Sequence, residues 1–355
     1  MYSSTWNFTS YEKIDESFHR WQIDEAGHRL LEKIDWVVTE KIHGANFCFV
    51  TDGQVIRCAN RKKFLDTNEN FFDYQKLQSR LNDNIKRAFI ITQSKHPQIS
   101  RIFIYGELFG GSYPHPDVTP DLSVQPVQTG IYYSPTIEFC AFDIAFESDG
   151  ATRTYLDYDK AIDILQSAGI FYAVPLFIGR YNEAIAFEIN FSSTIPPLLN
   201  LPPLHDENKA EGIVIKPIKI IYIDTPKGKI RPVLKRKITE FSEEKRFHLA
   251  EKWSEQSFIK QDDLEILQWS AFNLITENSL RNAISKIGYI KPREKSRARE
   301  LFNLVIEDVI EQLSENQELL LKEITQHDKN QLLAFIKAEM RKLLKNYFDK
   351  ETRRV

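Results

Sequence analysis

A lysine and a histidine, both costly to bury, stand in the segment EKIHGANF at residues 40–47, between the strand-like runs WVVT and CFV. A lysine in apolar surroundings is a candidate nucleophile, because burial favours the neutral amine over the ammonium. A lysine at a strand end can equally reach solvent along its aliphatic stem. Gly44 and Asn46 in the same segment favour special backbone geometry. Further along, charged or aromatic residues recur inside strand patterns: Arg61 in CANRK, Glu107 in YGELFGG, Phe142 in EFCAFDI, and Glu211 and Lys216 in AEGIVIKP. VLKRKI then supplies Lys235 and Lys237 two residues apart, on one face of a strand. A Lys-x-x-Gly match by itself is expected about once by chance in a chain of this size. Either carboxylate could simply pair with Arg61 or a lysine, and Phe142 could be core. The ordered set carries more than any member.

These residues need elements to position them. NFCFVTDGQVIRCAN alternates apolar and polar residues around Asp-Gly, a strong hairpin signal. RIFIYGELFG and TIEFCAFDIAF read as strands, with aromatic and β-branched content. DYDKAIDILQSAG has helical apolar spacing, Asp157 as a candidate N-cap and Gly169 placed to end it. A proline-rich connection, PPLLNLPPLHDENKAEG, leads into the strand GIVIKP. From about Glu243 the texture turns helical, as in ELFNLVIEDVIEQL and NQLLAFIKAEMRKLLKNYF, with an early break at Pro292. The boundary is placed near 240–245, giving domains 1–242 and 243–355.

Composition narrows the class. The 355 residues suit about two domains, and 42% hydrophobic with 27% charged residues is ordinary for a soluble protein. No apolar run approaches the roughly 18 residues of a membrane span. The beginning, MYSSTWNFTSYEK, lacks the basic start and apolar centre of a signal peptide. Cys48, Cys58 and Cys140 lie in apolar strand-like stretches without metal-ligand spacing, and read as reduced core residues of an intracellular, cytoplasmic protein. The net charge of −3 hides two basic clusters, KGKIRPVLKRK at 227–237 and KPREKSRAR at 291–299. Such clusters suit a phosphate-bearing partner or solvated loops.

The order and spacing of the motifs resemble the covalent lysyl nucleotidyltransferases, the superfamily of polynucleotide ligases and mRNA capping enzymes. Within it the chain is most similar to RNA ligases of the phage RNA ligase 2 type, including the kinetoplastid RNA-editing ligases. DNA ligases carry Lys-x-Asp-Gly; here Lys41-Ile42-His43-Gly44 is followed by Asn46, the RNA-ligase form. GELFGGSYPHPDV and IYYSPTIEFCAFDI look like the editing-ligase branch, and six motifs cover about residues 35–240. The resemblance implies an α+β fold: a nucleotidyltransferase (ATP-grasp-like) domain of antiparallel sheets with flanking helices, followed by an all-helical C-terminal domain. It implies ATP, with AMP carried covalently on Lys41, and Mg²⁺ or Mn²⁺. Only 40 residues precede Lys41, which is short for the extra domain of NAD-dependent ligases.

The resemblance also assigns roles. Lys41 attacks the α-phosphate as the neutral amine; bringing a lysine from near 10.4 to about 7 takes roughly 4–5 kcal/mol, supplied by burial and neighbouring cations. Gly44 lets the backbone turn close to the nucleotide. Lys235 and Lys237 neutralise charge building at the α-phosphate. Glu107 takes the ribose hydroxyls, Phe142 stacks on adenine, Glu40 meets the adenine edge through itself or its backbone neighbours, and Lys216 faces the phosphates. Glu211 serves the metal through water, since Mg²⁺ keeps much of its hydration. Arg61 contacts the phosphate and the reacting strand ends, while His43 and Asn46 act once the adenylate meets the RNA 5′-phosphate. The expected partner is RNA with 3′-OH and 5′-phosphate ends, in a nicked duplex, and no membrane. Lys291, Arg293, Lys295, Arg297 and Arg299 are expected to help hold its phosphates. Two rivals remain. A DNA ligase or capping enzyme would follow the last lysine motif with an OB-type barrel, and a catalytically dead RNA-binding module would not need Glu107, Glu211 and a buried lysine together.

Overall fold

The computed structural model describes the chain apart from residues 1–5, 18–20, 22, 24, 122, 129, 149–152, 227, 239–262, 291–293, 318–320, 323 and 353–355. The chain divides into two compact units, Met1–Phe241 and Ser242–Val355.

The first unit is built on two antiparallel sheets. The larger begins with a hairpin, β2 (Ala45–Thr51) and β3 (Ile56–Asn60), formed where Asp-Gly predicts it. Asp52 Oδ1 accepts the N–H groups of Gln54 and Val55, and Gly53 takes φ 88° at the turn. With β4 (Ile99–Ser112), β5 (Ser134–Ser148) and β6 (Thr154–Tyr155) the order is β3-β2-β4-β5-β6. Period-2 alternation sends Phe47, Phe49, Ile102 and Ile104 into a core with helices α2 (Tyr74–Lys95) and α3 (Tyr158–Ala168). The opposite face carries Asn46, Cys48, Phe103, Tyr105 and Glu107, and Cys48, Phe103 and Tyr105 pack there with Tyr11.

The smaller sheet has the order β11 (Leu234–Lys237), β8 (Gly212–Pro217), β1 (Asp35–Glu40), β7 (Pro175–Arg180). Its one face buries Trp36, Val38, Ile213 and Ile215 against Leu31 of α1 (Glu25–Lys33) and Tyr181 of α4 (Tyr181–Ala186). Register puts Lys235 opposite Val214 and Lys216 opposite Val37, so the other face is the cationic one. A short helix, α5 (Ile195–Leu198), and a small hairpin of β9 (Ile223–Thr225) and β10 (Gly228–Ile230) complete the unit.

Helix α3 ends at Gly169, which takes φ 71°. Asp157 stands at its N-cap, yet the expected capping bond is absent. Its carboxylate instead accepts the Ile220 N–H at 2.8 Å and pairs with Lys219 at 3.2 Å. The three cysteines are buried and unpaired.

The second unit is helical in its described residues: α6 (Asp263–Leu274), α7 (Glu277–Ile287), α8 (Lys295–Asn316) and α9 (Gln326–Thr352). Its own core joins Leu267, Leu280, Leu301, Val305, Ile336 and Met340. Thr276 caps α7 by accepting the Ser279 N–H at 3.0 Å. No described helix is long and apolar enough to cross a membrane.

Candidate active site

The turn after β1 is fixed at every residue. Lys41 donates its backbone N–H to the Gly212 carbonyl at 2.9 Å. Ile42 is buried in an apolar cluster with Phe109, Tyr133 and Cys140, worth about 1.5–3 kcal/mol by its area. His43 gives its N–H to the Tyr133 hydroxyl at 3.0 Å, and the Gly44 carbonyl accepts from Gln128 at 3.3 Å. A Cβ at Gly44 would fall 2.0 Å from the Leu108 carbonyl oxygen and 2.8 Å from Glu107. Glycine is needed there because strand β4 presses on the turn.

Side chains converge on Glu211, one residue before β8. Its Oε2 takes the Lys41 ammonium at 2.7 Å and lies 3.4 Å from His43 Nδ1, and Oε1 lies 3.1 Å from Lys237 Nζ. Burial pushes this carboxyl up, but Lys41, Lys237 and His43 outweigh it and hold the group well below the usual carboxylate range. Lys235 shares the strand face of Lys237 and meets Glu16 at 3.3 Å. Burial, then the neighbouring Lys237, lowers its ammonium below the usual lysine value despite Glu16.

Across the site, Asn46 on β2 pairs in register with Glu107 on β4 and hydrogen-bonds its carboxyl. Burial pushes Glu107 up to about 7, with Lys41 and Arg61 pulling the other way and Glu211 adding to the rise. Arg61, just past β3, is thus within electrostatic reach of the same centre. Lys41, His43, Asn46, Arg61, Glu107, Glu211, Lys235 and Lys237 are brought together.

Phe142 on β5 is partly buried and packs edge-on against Tyr11 at 4.9 Å. Behind it lies a charge network that sequence reasoning missed. Asp143 accepts Lys216 at 2.6 Å, Arg231 at 3.0 Å and the Tyr11 hydroxyl at 2.5 Å. Arg231 also pairs with Glu12. The partners are up to 220 residues apart, so no local spacing announces them; the one available signal was the aspartate beside Phe142 in a strand. Arg231, which lay in a cluster read as basic surface or phosphate contact, is buried.

Two expected ligand contacts have other occupations. Lys216, expected to face phosphates, is buried and spent on Asp143 and the Phe142 carbonyl at 2.7 Å. Desolvation lowers its ammonium below the usual value, though Asp143 opposes the change. Glu40, expected at the adenine edge, is buried and takes the Ser193 hydroxyl at 2.6 Å and the Thr194 N–H and hydroxyl at 2.7 Å each. Its side chain ties the strand before the nucleophile to the chain before α5. In the helical unit, Arg297 donates to the carbonyls of Ile287 and Tyr289, closing the C-terminal end of α7. Arg299 is exposed, while Lys291, Arg293 and the Lys295 side chain lie outside the described residues.

Among the described residues, no three His, Cys, Asp or Glu side chains group to hold a metal. The donors present suit Mg²⁺ only in the form that keeps its waters and leans on substrate phosphates, with Glu211 as the nearby carboxylate.

Two antiparallel sheets, a lysine held among carboxylates and cations between them, and a helical unit after the last lysine motif define a polynucleotide-ligase-type nucleotidyltransferase. A family model described as RNA ligase matches residues 34–237, and one described as T4 RNA ligase 2 C-terminal matches 260–342. The chain belongs to the RNA ligase family, enzymes that act on RNA. It is 30% identical over 380 residues to RNA-editing ligase 2, mitochondrial, of Trypanosoma brucei brucei, covering 95% of this chain and 90% of that protein. RNA-editing ligase 1, mitochondrial, of the same organism is 32% identical over 237 residues, covering 59% of this chain and 50% of the relative. Among solved structures, a Naegleria gruberi RNA ligase with PPi overlaps 68% of this chain and 58% of its own, at 15% identity and a TM-score of 0.41. Where a DNA ligase or capping enzyme would carry an OB-type barrel, the described residues form helices α6–α9.

Proposed function

We propose that this RNA ligase is ATP-dependent and joins a 3′-hydroxyl to a 5′-phosphate at nicks in duplex RNA, with Lys41 as the nucleophile. The observation that carries the reading is the meeting of Lys41, Lys237 and His43 on the one buried carboxylate of Glu211. In the first step the Lys41 amine, having given up its ammonium proton, bonds to the α-phosphorus of ATP, and the bond to pyrophosphate breaks. The AMP then passes to an oxygen of the RNA 5′-phosphate; the N–P bond breaks and Lys41 regains a proton. Finally the 3′-hydroxyl, losing its proton, attacks the 5′-phosphorus and AMP departs.

Lys237 and Lys235, on one strand face, neutralise charge as pyrophosphate leaves, and Glu211 fixes the direction of Lys41 until substrate draws that pair apart. Glu107 meets the ribose side, Phe142 stacks on the base, and Arg61, His43 and Asn46 face the RNA end. A divalent metal supplies charge neutralisation on the phosphates. The three buried thiols support an intracellular, reducing compartment. The helical unit contributes to RNA end joining through exposed cations such as Arg299.

Sealing rates on nicked RNA duplex, nicked DNA duplex and single-stranded RNA test this reading. The nicked RNA duplex should seal fastest; equal sealing of single-stranded ends would overturn the duplex assignment, and preference for DNA the polymer assignment. Residues 1–241 alone should still take up AMP but join poorly, and undiminished joining would assign the helices another task.

A further inference from the structure

The turn that carries Lys41 and His43 is anchored at two separate places, and the two anchors serve different residues. Lys41 is held by its own N–H on Gly212 and by Glu211. His43 is held by the Tyr133 hydroxyl, which accepts its N–H at 3.0 Å. Tyr133 is buried, edge-on to Phe109 at 5.4 Å, and packed in the cluster that holds Ile42. A ring so confined cannot swing its hydroxyl elsewhere. Burial pushes its phenol well above the ordinary value, with Glu40, Glu211 and Glu107 adding to the rise, so it stays neutral. The chain leading to Tyr133 makes a second bond to the same turn, Gln128 to the Gly44 carbonyl. The β4–β5 connection is therefore a brace on the His43 side of the turn.

We propose that Tyr133 is a positioning residue for AMP transfer to RNA, acting through the backbone of His43. This inference rests on the reading that His43 serves the second step. Removing the hydroxyl while keeping the ring leaves the His43 N–H without its acceptor and frees the imidazole beside Glu211. The grip on Lys41 remains intact. The defect should fall on the transfer from lysine to RNA and spare the formation of lysyl-AMP.

The test is step-resolved kinetics of full-length Tyr133→Phe and His43→Ala with labelled ATP, 5′-phosphorylated nicked RNA and magnesium. Tyr133→Phe should charge with AMP at close to the wild-type rate. It should then transfer to RNA about tenfold more slowly, the effect of one partly buried amide losing its acceptor. Hydrogen exchange of the peptide carrying His43 should rise in the same variant without nucleotide present. Unchanged transfer by Tyr133→Phe, with His43→Ala slowed, would overturn the role of Tyr133. Equal loss in charging and transfer would overturn it too, marking Tyr133 as a packing residue. Normal transfer by His43→Ala, with Tyr133→Phe slowed, would overturn the route through His43 and with it the second-step reading of that histidine.

Discussion

Replacing Glu107 with glutamine should make the protein more stable above neutral pH, although the residue stands in the candidate site. Burial raises this carboxyl from 4.5 to about 7. A carboxyl with a raised folded-state value is at no disadvantage while protonated in both states. It destabilises the fold as pH climbs past the unfolded value, and the full penalty is reached above about 7. At about 1.4 kcal/mol per pH unit the penalty is about 3 kcal/mol. Partial exposure of the side chain to solvent brings the working figure to about 2 kcal/mol. Glutamine never ionises, and its oxygen can still accept from Asn46. Thermal unfolding of the wild type and Glu107→Gln, followed from about pH 5 to about pH 8, reads this directly. The two should nearly coincide at the acid end and diverge upward through neutrality, with the variant gaining about 4–8 °C in the transition of residues 1–241. Charging with AMP should fall in the same variant, since the carboxylate is lost from the ribose side. Parallel pH profiles, or a variant less stable at the alkaline end, would refute the assignment of a carboxyl whose desolvation outweighs its cationic neighbours.

Other outcomes follow from the same geometry. Asp143→Ala strands the buried cations Lys216 and Arg231, and should cost about 3–5 kcal/mol in urea unfolding. Burial pushes the Asp143 carboxyl up, but Lys216 and Arg231 win and hold it below its ordinary value. Its stabilisation is present above the unfolded value and lost as pH falls through the folded one, so the variant should show a shallower acid limb. Gly44→Ala, whose new methyl would collide with the Leu108 carbonyl, should depress charging and sealing together by about a hundredfold, the usual effect of a displaced nucleophile. An active Gly44→Ala enzyme would mean the turn can move away from β4.

Local chemistry was legible in the sequence, and contacts across the fold were not. The β2–β3 hairpin followed from Asp-Gly between alternating residues, because a two-residue turn fixes its own strands. Helix α3 and its Gly169 stop followed from spacing, but the Asp157 carboxylate found Ile220 and Lys219, which are distant in sequence. Lys235 and Lys237 share a face because strand period dictates it. The same period puts Lys216 on that face, yet says nothing of Asp143 on the other sheet, which claims it. The same limit applies to Glu40: adjacency to Lys41 is visible in sequence, while the bonds of its side chain to Ser193 and Thr194, 153 and 154 residues on, are not. Tyr11 and Arg231 sit 220 residues apart and carry no pattern until the sheets close. Arg297 looked like part of a basic surface because charge is visible in a sequence and a carbonyl in need of a donor is not.

Mass spectrometry of peptides after incubation with ATP and magnesium addresses the role of Lys41 most directly. An AMP adduct on Lys41 of the wild type, absent from Lys41→Ala and discharged by nicked RNA, is the predicted result. An adduct on another residue, or one that persists in Lys41→Ala, would contradict it.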